Sequence, residues 1–221
     1  MVNREVVGMR EQGRVERARE LYELAMFGGD TSALDAADQE LDAVEASVSL
    51  ERGKVLHVRF LNDRREDPQE LLLFERAAEL HHRLNDASGE ADALFWIGCW
   101  HQVVRDDGAT SGPYFERSYA LAQSVGDRKT MSYAVRHLGF AEQEAGRLDR
   151  AHTLLAESVT LRREIGFMAG VAAGLVALGH LSAETGDREA AIGYLDEAQT
   201  TAEQCDAEAV LGWVERARTE I

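Results

Sequence analysis

The same punctuation is written twice at a fixed distance in this chain: HLGFAEQEAGRLDRAHTLLAESVT begins at His137, and ALGHLSAETGDREAAIGYLDEAQT begins forty residues later at Ala177. Leu138-Gly139 falls on Leu178-Gly179, Glu144 on Glu184, Gly146 on Gly186, Ala151 on Ala191, Leu155 on Leu195 and Glu157 on Glu197. Upstream, Ile97-Gly98 stands 41 residues before Leu138-Gly139, so three copies are visible. Each copy reads as a helical hairpin. The Leu-Gly or Ile-Gly pair leaves a gap in a first helix where another helix can approach closely. Gly146-Arg147 or Gly186-Asp187 then supplies the left-handed residue that ends a helix. A second helix follows, with Leu148, Ala151, Leu154, Leu155, Ser158 and Leu161 forming a mostly apolar stripe of period near 3.6. A lone hairpin cannot bury that stripe, so neighbouring hairpins must stack and share a core.

Composition agrees with an all-α chain. Only two prolines occur in 221 residues, and Ala, Leu, Glu and Arg are abundant. The length suits one domain or one short repeat array. A content of 45% apolar and 29% charged residues suits a folded chain. The formal net charge of −16, with basic residues dispersed among acids, argues against a nucleic-acid partner. The longest apolar run, Ala93 to Trp100, is too short to span a bilayer, and the first twenty residues have no signal-peptide core. A cytoplasmic protein with no membrane association is expected. Cys99 and Cys205 stand alone, which argues against a disulfide framework or zinc site. The seven histidines show no HExxH, and no phosphate cradle or other cofactor motif is present. No metal, no cofactor and no catalytic residue is expected, although His137, Glu144 and His180 make a conceivable acid–base cluster.

Five hairpins are expected at roughly 10–49, 50–87, 88–127, 128–167 and 168–205, with a closing helix at 206–221; in the N-terminal half, which fits the repeat less well, one helix is expected over 32–49 and the next over 50–62. In that last helix Val210, Trp213, Val214 and Ala217 are expected to face inward, with Glu215, Arg216 and Thr219 outward. The segment VVRDDGATSGPYFER reads as an enlarged turn, or as a lip over a groove, with Ser111 capping a helix ahead of Pro113.

The pattern over 88–205 resembles the tetratricopeptide repeat family, in a version with repeats nearer 40 residues than 34. LLAESVTLRREIGF is similar to the helical-repeat sensor regions of bacterial transcriptional regulators. The resemblance implies a right-handed α-solenoid of about five antiparallel hairpins plus a capping helix, forming one domain over 1–221, with first helices lining a concave wall. Placed on that wall are Phe95 and Cys99 of the third hairpin, with Trp96 at its edge. The fourth hairpin supplies Tyr133, Arg136, Phe140, Gln143 and Glu144, with His137 at the edge, and the fifth supplies His180. The inner helix of the third hairpin, ADALFWIGCW, is apolar nearly all round, as a buried helix or a ligand-covered one would be. The family's role implies a scaffold that receives a protein or peptide. The alternative is a pocket on the same aromatic and histidine-lined face for a small apolar or aromatic ligand, for binding or for metal-independent catalysis, and the apolar face also allows homo-oligomer formation.

Overall fold

A computed structural model describes residues 2–221, with side chains from Glu11 onward. It is all-α, and no strand occurs among the described residues. The chain divides into two compact units, Met1–Asp106 and Asp107–Ile221. The first contains α1 (Val2–Gly28), α2 (Ala33–Asp63), α3 (Gln69–Arg83) and α4 (Ala87–Cys99), the last running into a π-helical turn over Trp100–Val104. The second contains α5 (Gly108–Val125), α6 (Arg128–Glu144), α7 (Leu148–Glu164), α8 (Met168–Glu184), α9 (Arg188–Gln204) and α10 (Glu208–Glu220). Within each unit helices pack on their neighbours in the chain, and α10 also returns to α8. The expected third hairpin, 88–127, thus contributes one helix to each unit.

The second unit is governed by a repeat finer than the one the sequence displays most plainly. Positive φ recurs at Asp106, Gly126, Gly146, Gly166, Gly186 and Asp206, one left-handed residue every twenty. At Gly126 the Asp127 N–H donates to Ala122 O and the Gly126 N–H to Gln123 O, the two bonds of a Schellman motif. The same long bond recurs from Arg147 to Glu142 O, Phe167 to Arg162 O, Asp187 to Ser182 O and Ala207 to Ala202 O, each at 2.9 Å. The next helix starts at once. Asp107, Asp127 and Asp187 accept from the backbone N–H groups of Thr110, Thr130 and Ala190, capping α5, α6 and α9. The glycines of the Leu-Gly pairs are where following helices lean in. A Cβ on Gly139 would lie 3.0 Å from Leu155 Cδ2, and one on Gly179 would lie 3.1 Å from Leu195 Cδ2. The core beneath joins Ala151, Leu155, Val159, Leu175, Leu178, Leu195, Val210 and Val214, all buried.

Three expectations are corrected. The break at 49/50 does not exist, because α2 is one helix of 31 residues. No turn residue lies at that point, and Gly53 does not interrupt the helix but receives the Phe74 ring, which a Cβ there would approach to 2.5 Å. The enlarged turn is also missing: α5 begins at Gly108, so Ser111 and Pro113 lie inside the helix and Asp107 is the cap. The extra residue is absorbed earlier, by the π turn, where the Arg105 N–H reaches back five residues to Trp100 O. That single-residue excess accounts for the interval of 41 rather than forty between Ile97-Gly98 and Leu138-Gly139. Third, Trp213 does not face inward; it is 40% exposed, while Val210, Val214 and Ala217 are buried as expected.

In the first unit the core is aromatic and contains a polar pair that the sequence reading passed over. Phe74 stacks on Trp96 with ring centroids 5.8 Å apart, and Trp96 meets Phe95 and His57 edge-on. His57 Nδ1 lies 2.7 Å from Glu70 Oε1, both side chains being buried. Glu70 sits in the first turn of α3, where the unpaired N–H groups of the helix favour a carboxylate.

Glycine-to-alanine substitution should have opposite signs at two positions. Gly146→Ala should cost about 1–2 kcal/mol through left-handed strain. The cause is the φ of 73° at that position. Gly193→Ala, on the open face of α9 with nothing within 4 Å of the added carbon, should stabilise by about 0.5–1 kcal/mol. Urea denaturation of both variants measures the pair.

Candidate functional site

Three helices of the second unit converge on a cavity of about 300 Å³. From α6 come Arg136, Phe140 and Gln143, from α8 Ala173, Val176, Ala177 and His180, and from α10 Trp213, Arg216 and Glu220. The spacing explains the convergence. Positions 136, 140 and 143 lie on one face of α6, and 173, 176, 177 and 180 on one face of α8. The small residues of α8 make an apolar floor because the helix is sunk into its neighbours. A Cβ on Gly174 would meet Val159 Cγ2 at 2.6 Å, and one on Gly170 would meet the Phe167 ring at 2.4 Å.

The walls are aromatic and the rim is charged. Arg136 lies over the Phe140 ring, 4.6 Å from its centroid, so the guanidinium is held by a cation–π contact. Trp213 and Arg216 stand on the opposite, α10 side. His180 Nδ1 faces Glu220 Oε2 at 3.7 Å, and Gln143 Nε2 donates to Glu184 Oε2 at 2.6 Å. Chemically, this arrangement offers a flat apolar slot with two guanidinium groups at its edge, suited to an apolar side chain carrying or adjoining an anionic group.

Arg162 is a cation of a different kind. It is 2% exposed on α7, donates from Nη1 to Gly170 O at 2.8 Å, and lies against the Tyr133 and Phe167 rings. Burial, and after it the nearby Arg136 charge, pulls the pKa of its guanidinium down to about 10. Arg162 fastens the α7–α8 turn to α6 and does not line the cavity.

The sequence-derived residues therefore separate. Arg136, Phe140, Gln143 and His180 line one cavity. Glu144 is exposed at the end of α6, and Tyr133 is half-buried against Phe167 and Arg162. His137 packs on Phe115 and Phe140, while His180 turns to Glu220, so the two histidines have different partners. Phe95 and Cys99 are 2% and 3% exposed, so they are core and not a groove surface. Trp96 belongs to the first unit's aromatic cluster, its Nε1–H donating to Asp92 Oδ1 at 3.0 Å with Lys54 above the ring. Trp213, Arg216 and Glu220 were not placed at the site by the sequence. The periodicity of α10 could have found them, since 213, 216 and 220 share a face. Among the described residues no group of three or more His, Cys, Asp or Glu side chains is arranged to hold a metal ion. No described helix is long and apolar enough to cross a membrane.

A larger cavity, about 570 Å³, lies between α1, α2 and α3, but most of its polar lining is paired within the chain. Arg14 pairs with Glu40, Ser47 donates to Glu11, and His81 meets Asp86. Of its lining, Glu11 Oε2 and His81 Nε2 are buried without a hydrogen bond among the described residues. The α6–α8–α10 cavity combines open apolar surface with charge at its rim and is the better candidate.

No protein-family model matches the chain, and no curated protein matches it. Among solved structures it is similar to one titled "Crystal structure of BtubC (BKLC) from P. vanneervenii", at 14% identity over 90% of this chain and 92% of that one, with a TM-score of 0.45. A likeness that distant assigns no role to this chain.

The two kinds of arginine should separate on mutation. Arg162→Ala should destabilise the fold by about 3 kcal/mol, through an emptied buried volume and the stranded Gly170 carbonyl. Arg216→Ala, at an exposed position, should stay within about 0.5 kcal/mol of wild type. Thermal and urea melts of the two variants check this.

Proposed function

We propose that the protein is a non-enzymatic, tetratricopeptide-like binding scaffold whose α6–α8–α10 cavity receives a peptide segment of another protein. The observation that carries the reading is one shared surface. Phe140 and Trp213 wall an apolar floor, while Arg136 and Arg216 flank it. Such a surface takes a large apolar side chain as anchor and an adjacent carboxylate as orienting group, the pocket-and-rim arrangement of groove recognition. The twenty-residue helix-and-turn unit and the close-approach glycines support the tetratricopeptide-like assignment. A regulatory or receptor role in the cytoplasm fits a module of this kind. The second reading is a small-molecule ligand, favoured by the cavity volume of about 300 Å³. That volume stands at the lower end of the range for such pockets.

Selection from a random peptide library on the immobilised full chain tests the proposal, with a change in tryptophan emission as the binding signal. Selected peptides should carry a large apolar residue beside Asp or Glu. Phe140→Glu should weaken them by roughly thirty-fold, about 2 kcal/mol, with unchanged helical circular dichroism. Arg216→Ala should weaken them about tenfold. Peptides that bind Phe140→Glu as well as wild type would remove the cavity from the proposal. A small molecule co-purifying from the native host and seen by native mass spectrometry would favour the second reading.

A further inference from the structure

The long helix α2 carries an apolar stripe that the described residues leave half exposed. Leu34, Leu41, Val48 and Val55 recur every seven residues, and with Val58 they are all between 44% and 55% exposed. Val44, half-buried, lies in the same stripe. At about 100° per residue the four heptad positions fall within an arc of roughly 60°, and the stripe from Leu34 to Val58 is about 36 Å long. A seven-residue apolar repeat is the signature of a helix that pairs with another helix. On the adjoining side Val48 and Val55 border a cavity of about 510 Å³ that Leu73 of α3 closes.

The charges beside the stripe identify the occupant. Four of them, Asp38, Glu45, Arg52 and Arg59, repeat every seven residues along one flank, acids first and bases second. Between the two ends of α2, the charges off this flank are paired within the chain: Glu40 with Arg14, Asp42 with Arg83, and Lys54 with Glu51 and Asp92, while Asp35 and Asp63 stand in its first and last turns. On the flank only Glu45 is so held, by Arg76; among the described residues Asp38, Arg52 and Arg59 have no ion-pair partner. Turned end for end, this flank is its own complement. An antiparallel copy related by a two-fold axis beside Val48 sets Asp38 against Arg59, Glu45 against Arg52, and Leu41 against Val55. A parallel copy would oppose like charges. We propose that α2 is the interface of an antiparallel, two-fold symmetric homodimer of this chain, with Leu41 of each copy entering the cavity beside Val55 of the other. A two-fold interface of this kind uses one self-complementary patch on both copies, the commonest arrangement among homo-oligomers. This face belongs to the first unit and is independent of the cavity of the second.

Sedimentation velocity and light scattering of the full chain, from low micromolar upward, should give twice 24.4 kDa. Val48→Asp, which sets two carboxylates together on the axis, should give the single mass at the same concentrations with unchanged circular dichroism. Arg59→Asp and Asp38→Arg should each weaken the dimer by at least about tenfold. Mixing those two variants should restore it, since each then meets its opposite. The proposal is overturned if the wild type keeps the single mass throughout, if Val48→Asp leaves a dimer, or if the mixture fails to recover what the separate variants lost.

Discussion

Each helix from α5 to α9 is ended by one left-handed residue, and the arrangement of the whole second unit depends on it. The Schellman bonds at Gly126, Gly146, Gly166 and Gly186 satisfy terminal carbonyls and reverse the chain in a single step. Turns so short hold consecutive helices antiparallel and close, and they fix the helix length at seventeen or eighteen residues. Equal lengths keep the inward positions in register from one helix to the next. That register puts Phe140 of α6 and Val176 of α8 into one cavity. Where glycine is replaced, the substitutes are Asp106 and Asp206, and aspartate is among the few residue types that tolerate the left-handed region.

Much of this was legible because it is local. Gly146, Gly186 and the Leu-Gly pairs announce a helix end and a close approach without any knowledge of the fold. Arg136, Phe140, Gln143 and His180 could be placed together because α6 and α8 are equal in length and their repeats stand at a fixed interval. The failures arise where a regularity was extended past its physical cause. Counting hairpins sets a helix boundary at residue 49, but nothing in VEASVSLERGK stops a helix, and Gly53 is there to admit Phe74. Phe95 and Cys99 were placed on a groove by extrapolation, although ADALFWIGCW is apolar on nearly every side and so is core. The π turn was hidden because one extra residue inside a helix leaves no composition signal. It shows only as a slip of one in the interval. Trp213 shares helical spacing with Val210, Val214 and Ala217, yet a large ring with an N–H is a common compromise between apolar wall and open surface.

The cavity of the second unit also shows how a chain of net charge −16 can present a cationic edge. Net charge governs long-range behaviour, but over a few ångströms the arrangement of individual groups decides. Arg136 is held over Phe140, and Arg216 faces the same opening from α10. Arg162 is engaged with the Gly170 carbonyl and stays out of the lining. Glu220 of the lining faces His180, and Glu184, outside it, accepts from Gln143. The lining thus sets two guanidinium groups, Arg136 and Arg216, against the one carboxylate of Glu220.

The charge order along α2 invites a simpler reading, that acids near the start and bases near the end compensate the helix dipole. The distances do not favour it. The dipole acts within the first and last turns, where it explains Asp35. Glu45 and Arg52 lie more than two turns from either end of a helix that runs from Ala33 to Asp63, too far for terminal partial charges to select their sign. Asp63, an acid in the last turn, has the wrong sign for that explanation. A segregated charge pattern flanking an exposed heptad stripe is instead what antiparallel pairing requires. Helix-dipole compensation would leave the stripe itself, five half-exposed aliphatic side chains on one face, without a physical reason.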